Sequence, residues 1–275
     1  IFTIRSFLYR EENFIDGIFE YLVKFLPRMT EIPNLFKTIG NIILSAPEQS
    51  KKYAETIAKY LIEAQTSQNF DLITESSQAM GDLFRTAPEL MQKYSDTFCS
   101  LLLDNIENDN WPHAPICQSI LTLADVVKNS YSESIVKYRN RLMEVVRKYT
   151  HIRYNPDDPN DIELMIDFFE GTIYLAGTIL QTFQDDEDFI NNRDNIEILF
   201  EFRKHIKPSI FRSVKLDYSI ILFLSGALDN TRNARKYNLF LGYINIKNYL
   251  KDICDDGIND CANRARKLLT RLINA

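Results

Sequence analysis

The chain has 275 residues, 45% of them hydrophobic and 25% charged, with 32 Lys and Arg against 38 Asp and Glu, a net charge of −6 and a pI of about 5.3. That is globular composition, too apolar for a disordered chain, and its negative field disfavours nucleic acid and favours basic ligands. No run approaches the roughly 18 uninterrupted apolar residues of a membrane span, and Cys99, Cys117, Cys254 and Cys261 form no C-x-x-C pairing and lie far from most histidines, which excludes a structural zinc site and points to reduced thiols.

Apolar residues recur at spacings of three and four, and no stretch alternates long enough to argue for a strand, so helices are the only predicted element. The start, IFTIRSFLYREE, carries neither an initiator methionine nor a cleavable targeting segment, and reads as part of a longer protein. A first helix pair is predicted at about 14 to 27 and 31 to 46, with Pro33 just inside the second helix and Pro47 closing it. The second pair runs from about 49 to 65 and 70 to 86, and its first helix places Tyr53, Ile57, Leu61 and Ala64 on one stripe.

The third pair, about 89 to 106 and 113 to 128, is joined by NDNWPHAP, whose prolines and asparagines break the helix. The fourth, about 132 to 152 and 161 to 183, is joined by the acidic RYNPDDPN, with Asp161 or Asn160 as the predicted cap. Two further pairs are predicted at about 189 to 206 with 209 to 229, and about 237 to 254 with 257 to 273.

An internal repeat organises these pairs. Residues 39 to 53, IGNIILSAPEQSKKY, overlay residues 80 to 94, MGDLFRTAPELMQKY, at a shift of 41, sharing Gly40/Gly81, the Ala-Pro-Glu, Lys52/Lys93 and Tyr53/Tyr94. A weaker third copy starts at Leu123 and reaches Tyr138 at a spacing of 43 to 44. Such a period, with one helix ending and another starting inside each copy, is the mark of a two-helix solenoid, because an isolated pair cannot cover its own apolar face and must lie against the next. The expected fold is therefore all-α, an α-solenoid of about six antiparallel helix pairs forming one elongated domain over 1–275. Its concave side would be lined by the second helix of each pair.

The most informative helix is 161 to 183. Ile162, Ile166, Phe169, Ile173, Ala176, Leu180 and Phe183 form an apolar stripe that sets its buried face. Glu163, Asp167, Glu170 and Tyr174 form a second stripe one residue round. Acids and an aromatic on one exposed face suit a lysine- or arginine-rich partner, since carboxylates pair with the charges while the ring packs on aliphatic stems. A solvated helix face without a partner has the same composition. Trp111, the single tryptophan, sits beside acids at a helix junction, where it either anchors a basic helix or fills the gap between two layers.

No nucleotide-binding, nucleophile-elbow or zinc-protease motif occurs, and the His113/Cys117 pair has Pro115 between its members and no orienting third group, so no enzyme, cofactor or metal is expected.

The GDLFRTAPEL junction, the period near 41, and the long acidic helix after a proline-rich acidic loop resemble the C-terminal HEAT repeats of the importin-β, or karyopherin-β, nuclear transport receptors. The final segment, SGALDNTRNARKYNLFLGYINIKNYLKDICDDGINDCANRARKLLTRLINA, is similar to that family's last two repeats. The resemblance implies a nuclear import receptor that wraps the basic importin-β-binding segment of importin-α, or basic cargo, on its inner helices. There Glu163, Asp167 and Glu170 fall where the family carries acids. It further implies a weak site for phenylalanine-glycine nucleoporins, contact with Ran mainly through an N-terminal half missing here, and shuttling between cytoplasm and nucleus through the nuclear envelope. The sequence departs from the family at Ala262 to Lys267, where the last inner helix commonly carries a tryptophan. A HEAT-repeat scaffold of another family, a phosphatase scaffold or an exportin, is the alternative.

Overall fold

The structure is a computed structural model that describes residues 12–29, 33–108, 110–152, 155, 157–183, 185–186, 188–189, 192–199, 220–221, 246–255 and 260–274. Among these residues every regular element is helical. The chain divides into two compact units, Ile1–Tyr138 and Arg139–Ala275, each described here by itself.

In the first unit, α1 (Glu12–Met29) and α2 (Pro33–Ser45) precede α3 (Pro47–Gln65), α4 (Phe70–Thr86), α5 (Pro88–Met91), α6 (Ser95–Glu107), α7 (His113–Asn129) and the short α8 (Ser132–Ile135). Helix α1 runs to Met29 with Pro27 in its last turn. The helices stack in two rows. Helices α2, α4 and α7 pack in succession, α3 packs on α1, α5 and α6, and the rows close as α3 meets α4 and α6 meets α7. Fully buried Leu61, Phe84 and Phe98 fill the space between the rows, each removing apolar area from water at a gain of about 1.5–3 kcal/mol.

Proline sets the helix starts more strictly than expected. Pro47 opens α3 at its first position rather than closing α2, and Pro88 opens α5 in the same way, because a ring fixed near φ −65° fits the first turn, where its missing N–H has no intrahelical partner to lose. Single residues, Ala46 and Ala87, turn the chain between helices.

The expected continuous helices 89 to 106 and 132 to 152 are each interrupted by a 3₁₀ turn, Gln92–Tyr94 and Val136–Tyr138. Both turns hold the repeated Lys-Tyr dipeptide. Lys93 meets Glu55 and Lys137 meets Asp96, while the Tyr138 hydroxyl donates to the Asp96 carboxylate at 2.9 Å. In the preceding repeat Lys52 meets Asp16 at 2.6 Å, and Tyr53 stacks on Phe19 with ring centroids 5.2 Å apart. The dipeptide thus fastens each first helix to the one before it.

Two buried polar devices fix the register between layers. Gln65, at the end of α3, brings its Nε2 within 2.7–3.1 Å of the Ile73 carbonyl and the Ser76 and Ser77 hydroxyls of α4, while Asn105 of α6 donates to its Oε1 at 2.9 Å. On the other row, Arg85 bridges Asp82 on its own helix and Asp125 on α7. The two repeated glycines belong to this device. A Cβ on Gly40 would lie 2.7 Å from Asp82 Oδ2, and one on Gly81 would lie 2.9 Å from Asp125 Oδ2.

In the second unit, α9 (Arg139–Thr150) packs on α10 (Pro159–Thr182) and on α11 (Arg193–Leu199), and α12 (Ile246–Asp255) packs on α13 (Asp260–Asn274). Arg139 of α9 pairs with Asp186, whose carboxylate also accepts from the Phe189 amide at 3.0 Å. The expected second helix of the fifth pair, and much of the first helix of the sixth, lie outside the described residues.

Candidate functional site

Helix α10 is the longest described element at 24 residues. Its start differs from the expected one: Asp158, not Asn160 or Asp161, is the cap, its Oδ1 accepting from the Asn160 amide at 2.9 Å, with Pro159 at the first helical position. Asp161 instead accepts from the Asn155 amide at 3.1 Å and ties the incoming loop to the first turn. Carboxylates at this end also complement the helix dipole.

The buried side of α10 is wider than the single apolar stripe suggested. Phe169, Ile173, Ala176, Leu180 and Phe183 are buried, and so are Met165, Phe168, Leu175 and Ile179, whereas Ile162 and Ile166 are half-buried. A helix packed on α9 and α11 needs more than one covered stripe, and Phe168 stacks on Tyr149 of α9 with ring centroids 4.9 Å apart.

What remains towards solvent is narrow. Glu163 and Asp167 are exposed, and Glu170 and Tyr174 are half-buried. At 1.5 Å rise per residue the four side chains span about 16 Å of one helix face. With the opposite side locked in the core, these side chains are presented on a rigid element. Such a face can pair with two or three cationic groups of a partner while the Tyr174 ring covers their aliphatic stems.

Trp111 belongs to the first unit and α10 to the second. It is half-buried in the turn after α6, its amide donating to the Asn108 carbonyl at 3.1 Å. Its ring meets Phe70 edge-on, with centroids 5.6 Å apart and planes at 72°. Phe70 is the partner that sequence reasoning missed. It opens α4 behind the Asn69 cap, which accepts from the amides of Asp71 and Leu72, and it remains partly exposed. Phe70 and Trp111 lie 41 residues apart, the repeat shift itself, and that was the available signal.

Two acids near helix ends have local structural partners: Asp158 caps α10, and Asp186 holds Arg139. Among the described residues no group of His, Cys, Asp and Glu is arranged to hold a metal ion, and no helix is long and apolar enough to cross a membrane. Cys99 and Cys117 are buried and outside any disulfide, and burial pushes the Cys99 thiol up to about 12, far from a reactive thiolate.

A family described as "Importin subunit beta-1-like, TPR repeats" matches residues 12–251. Among solved structures, importin β crystallised from polyethylene glycol has a TM-score of 0.78 at 17% identity, over 98% of this chain and 34% of that one. Importin β from ammonium sulfate gives 0.77 at 18% identity, over 92% of this chain and 31% of that one. Kap95p, solved in connection with its binding to RanGDP, gives 0.66 at 17% identity, over 98% of this chain and 32% of that one. The chain thus spans about a third of the length of the solved relatives it matches. No curated protein sequence matches it. The fold is that of the all-α HEAT solenoids of importin β, and the family match covers most of the sequence: the chain belongs to the importin subunit β-1-like family of nuclear transport receptors.

Proposed function

We propose that this chain is the part of a nuclear import receptor that holds a basic segment, of the importin-β-binding type carried by importin-α or by basic cargo, on the acidic face of α10. The observation that carries the reading is the stripe of Glu163, Asp167, Glu170 and Tyr174 on a helix whose other side is locked in the core. The net charge of −6 adds long-range attraction for a basic partner. Trp111 with Phe70 supplies a second, aromatic contact for a cationic or apolar side chain. On this reading the chain works by binding, not catalysis, shuttles through the nuclear pore, and meets phenylalanine-glycine nucleoporins and Ran as its family does.

The test is fluorescence anisotropy with a labelled basic importin-β-binding peptide against a peptide of equal length in which lysines and arginines are replaced by glutamine. Selective binding of the basic peptide, weakening steadily as salt is raised, supports the proposal. Equal binding of the two peptides, or affinity unchanged between low and high salt, overturns it.

A further inference from the structure

The cluster of Asp82, Arg85 and Asp125 lies in the first unit, where α2, α4 and α7 stack, and plays no part in the α10 face. Asp82 is 1% exposed and Asp125 4% exposed, so two buried carboxylates share one guanidinium, itself nearly half exposed. Asp82 Oδ1 takes the Arg85 contact; Asp82 Oδ2 is buried against Gly40 without a hydrogen-bond partner. Asp125 Oδ2 receives the other arm of Arg85 and lies against Gly81.

Among the described residues the cation that acts on Asp82 is Arg85. Helix α2 faces Asp82 with Gly40, and its Lys37 is engaged by Glu75 at 3.9 Å. Helix α7 sets Asp125 and Thr122 against the neighbouring Gly81, Asp125 acts on Asp82 through its charge, and Lys128 of that helix is exposed. On α3 the residues Glu48, Lys52, Glu55, Lys59 and Glu63, and on α5 Glu89, stand exposed, while half-buried Lys51 pairs with Glu48. Asp82 is thus buried, shares its guanidinium with a second carboxylate and keeps one oxygen without a hydrogen bond, which disfavours its ionised form.

We propose that this cluster is a proton-operated latch between the second and third helix pairs: Asp82 takes up a proton in mildly acidic medium, leaving Arg85 to Asp125 and tightening the junction of α4 with α7. Burial chiefly, opposed by Arg85 and reinforced by Asp125, raises the Asp82 carboxyl from 3.8 to about 6. A carboxyl raised in the folded state contributes its stability fully below 3.8 and loses it as pH rises through 6. Acidification from pH 7.5 to 5 therefore closes this junction by about tenfold in its opening equilibrium, the ratio that the two pKa values give by linkage.

Hydrogen exchange of the 275-residue chain, read on peptides covering residues 79–87 and corrected for intrinsic rates, tests this. The expected result is roughly tenfold less opening at pH 5 than at pH 7.5, and a response flattened to within about twofold in Asp82→Asn, an isostere that still accepts from Arg85. A carbon-13 carboxyl titration of the native chain, with one buried aspartate moving near pH 6, checks the same group without substitution. Native opening that is equal at the two pH values, a pH response retained in Asp82→Asn, or no aspartate titrating near pH 6 would each overturn the proposal.

Discussion

Gln65 and Asn105 offer the sharpest test of how the layers are held in register. Replacing Gln65 by Met keeps the volume but removes the amide that Asn105 Nδ2 and the Ser77 hydroxyl use, at 2.9 Å and 3.3 Å. Ser76 keeps a partner, since its hydroxyl also donates to the Ile73 carbonyl at 3.1 Å. Two buried groups are thus orphaned, each at about 1–3 kcal/mol, so the single variant should lose roughly 2–4 kcal/mol. Asn105→Leu strips one partner from Gln65, which retains its α4 contacts, and should cost less. In the double variant the Asn105 orphan no longer exists, so its loss should fall about 1–2 kcal/mol short of the sum of the singles.

Urea unfolding followed by tryptophan fluorescence reads this directly, because Trp111 is the only tryptophan and lies in the turn that follows α6 in the same unit. Gln65→Met within about 0.5 kcal/mol of the parent, or a double variant whose loss equals the sum, would refute the reasoning.

Gly40→Ala should destabilise by about 1–3 kcal/mol despite the better helix propensity of alanine, because its Cβ would lie 2.7 Å from Oδ2 of Asp82, whose other oxygen Arg85 holds. Gly17→Ala, with nothing within 4 Å of the new carbon, should be neutral or gain up to about 1 kcal/mol, and thermal melts of the pair separate packing from propensity. In the native chain a thiol reagent should modify half-buried Cys254 well before Cys99 and Cys117, which wait for unfolding; equal rates in the absence of denaturant would contradict the burial described.

Much of the fold was legible because its signals are local. The spacing of apolar residues and the Ala-Pro-Glu junctions placed the helices of the first four pairs to within a few residues. The signals that escaped depend on a neighbour one period away. Arg85 looks like an ordinary last-turn cation until Asp125 of the next repeat is brought beside it, and Phe70 looks like the first residue of an amphipathic helix until Trp111 reaches it. The pairing of Lys93 with Glu55 and of Lys137 with Asp96 likewise needs the previous layer. Asp158 lost the contest for the cap on paper because three polar residues crowd that loop, and only Pro159, fixed at the first helical position, decides among them. On α10 the acid stripe could be read from spacing alone, but the breadth of its buried side could not, since that depends on the helices packed on α10.

On the proposed reading the carboxylates of α10 hold a cationic partner. Neutralising all three, as Glu163→Gln with Asp167→Asn and Glu170→Gln, removes pairs worth about 0.2–1 kcal/mol each, so affinity for a basic importin-β-binding peptide at low salt should fall roughly 3- to 150-fold. The salt dependence should shrink with it, while the melting temperature stays near that of the parent. Unchanged affinity and an unchanged salt slope in a folded triple variant would contradict the account.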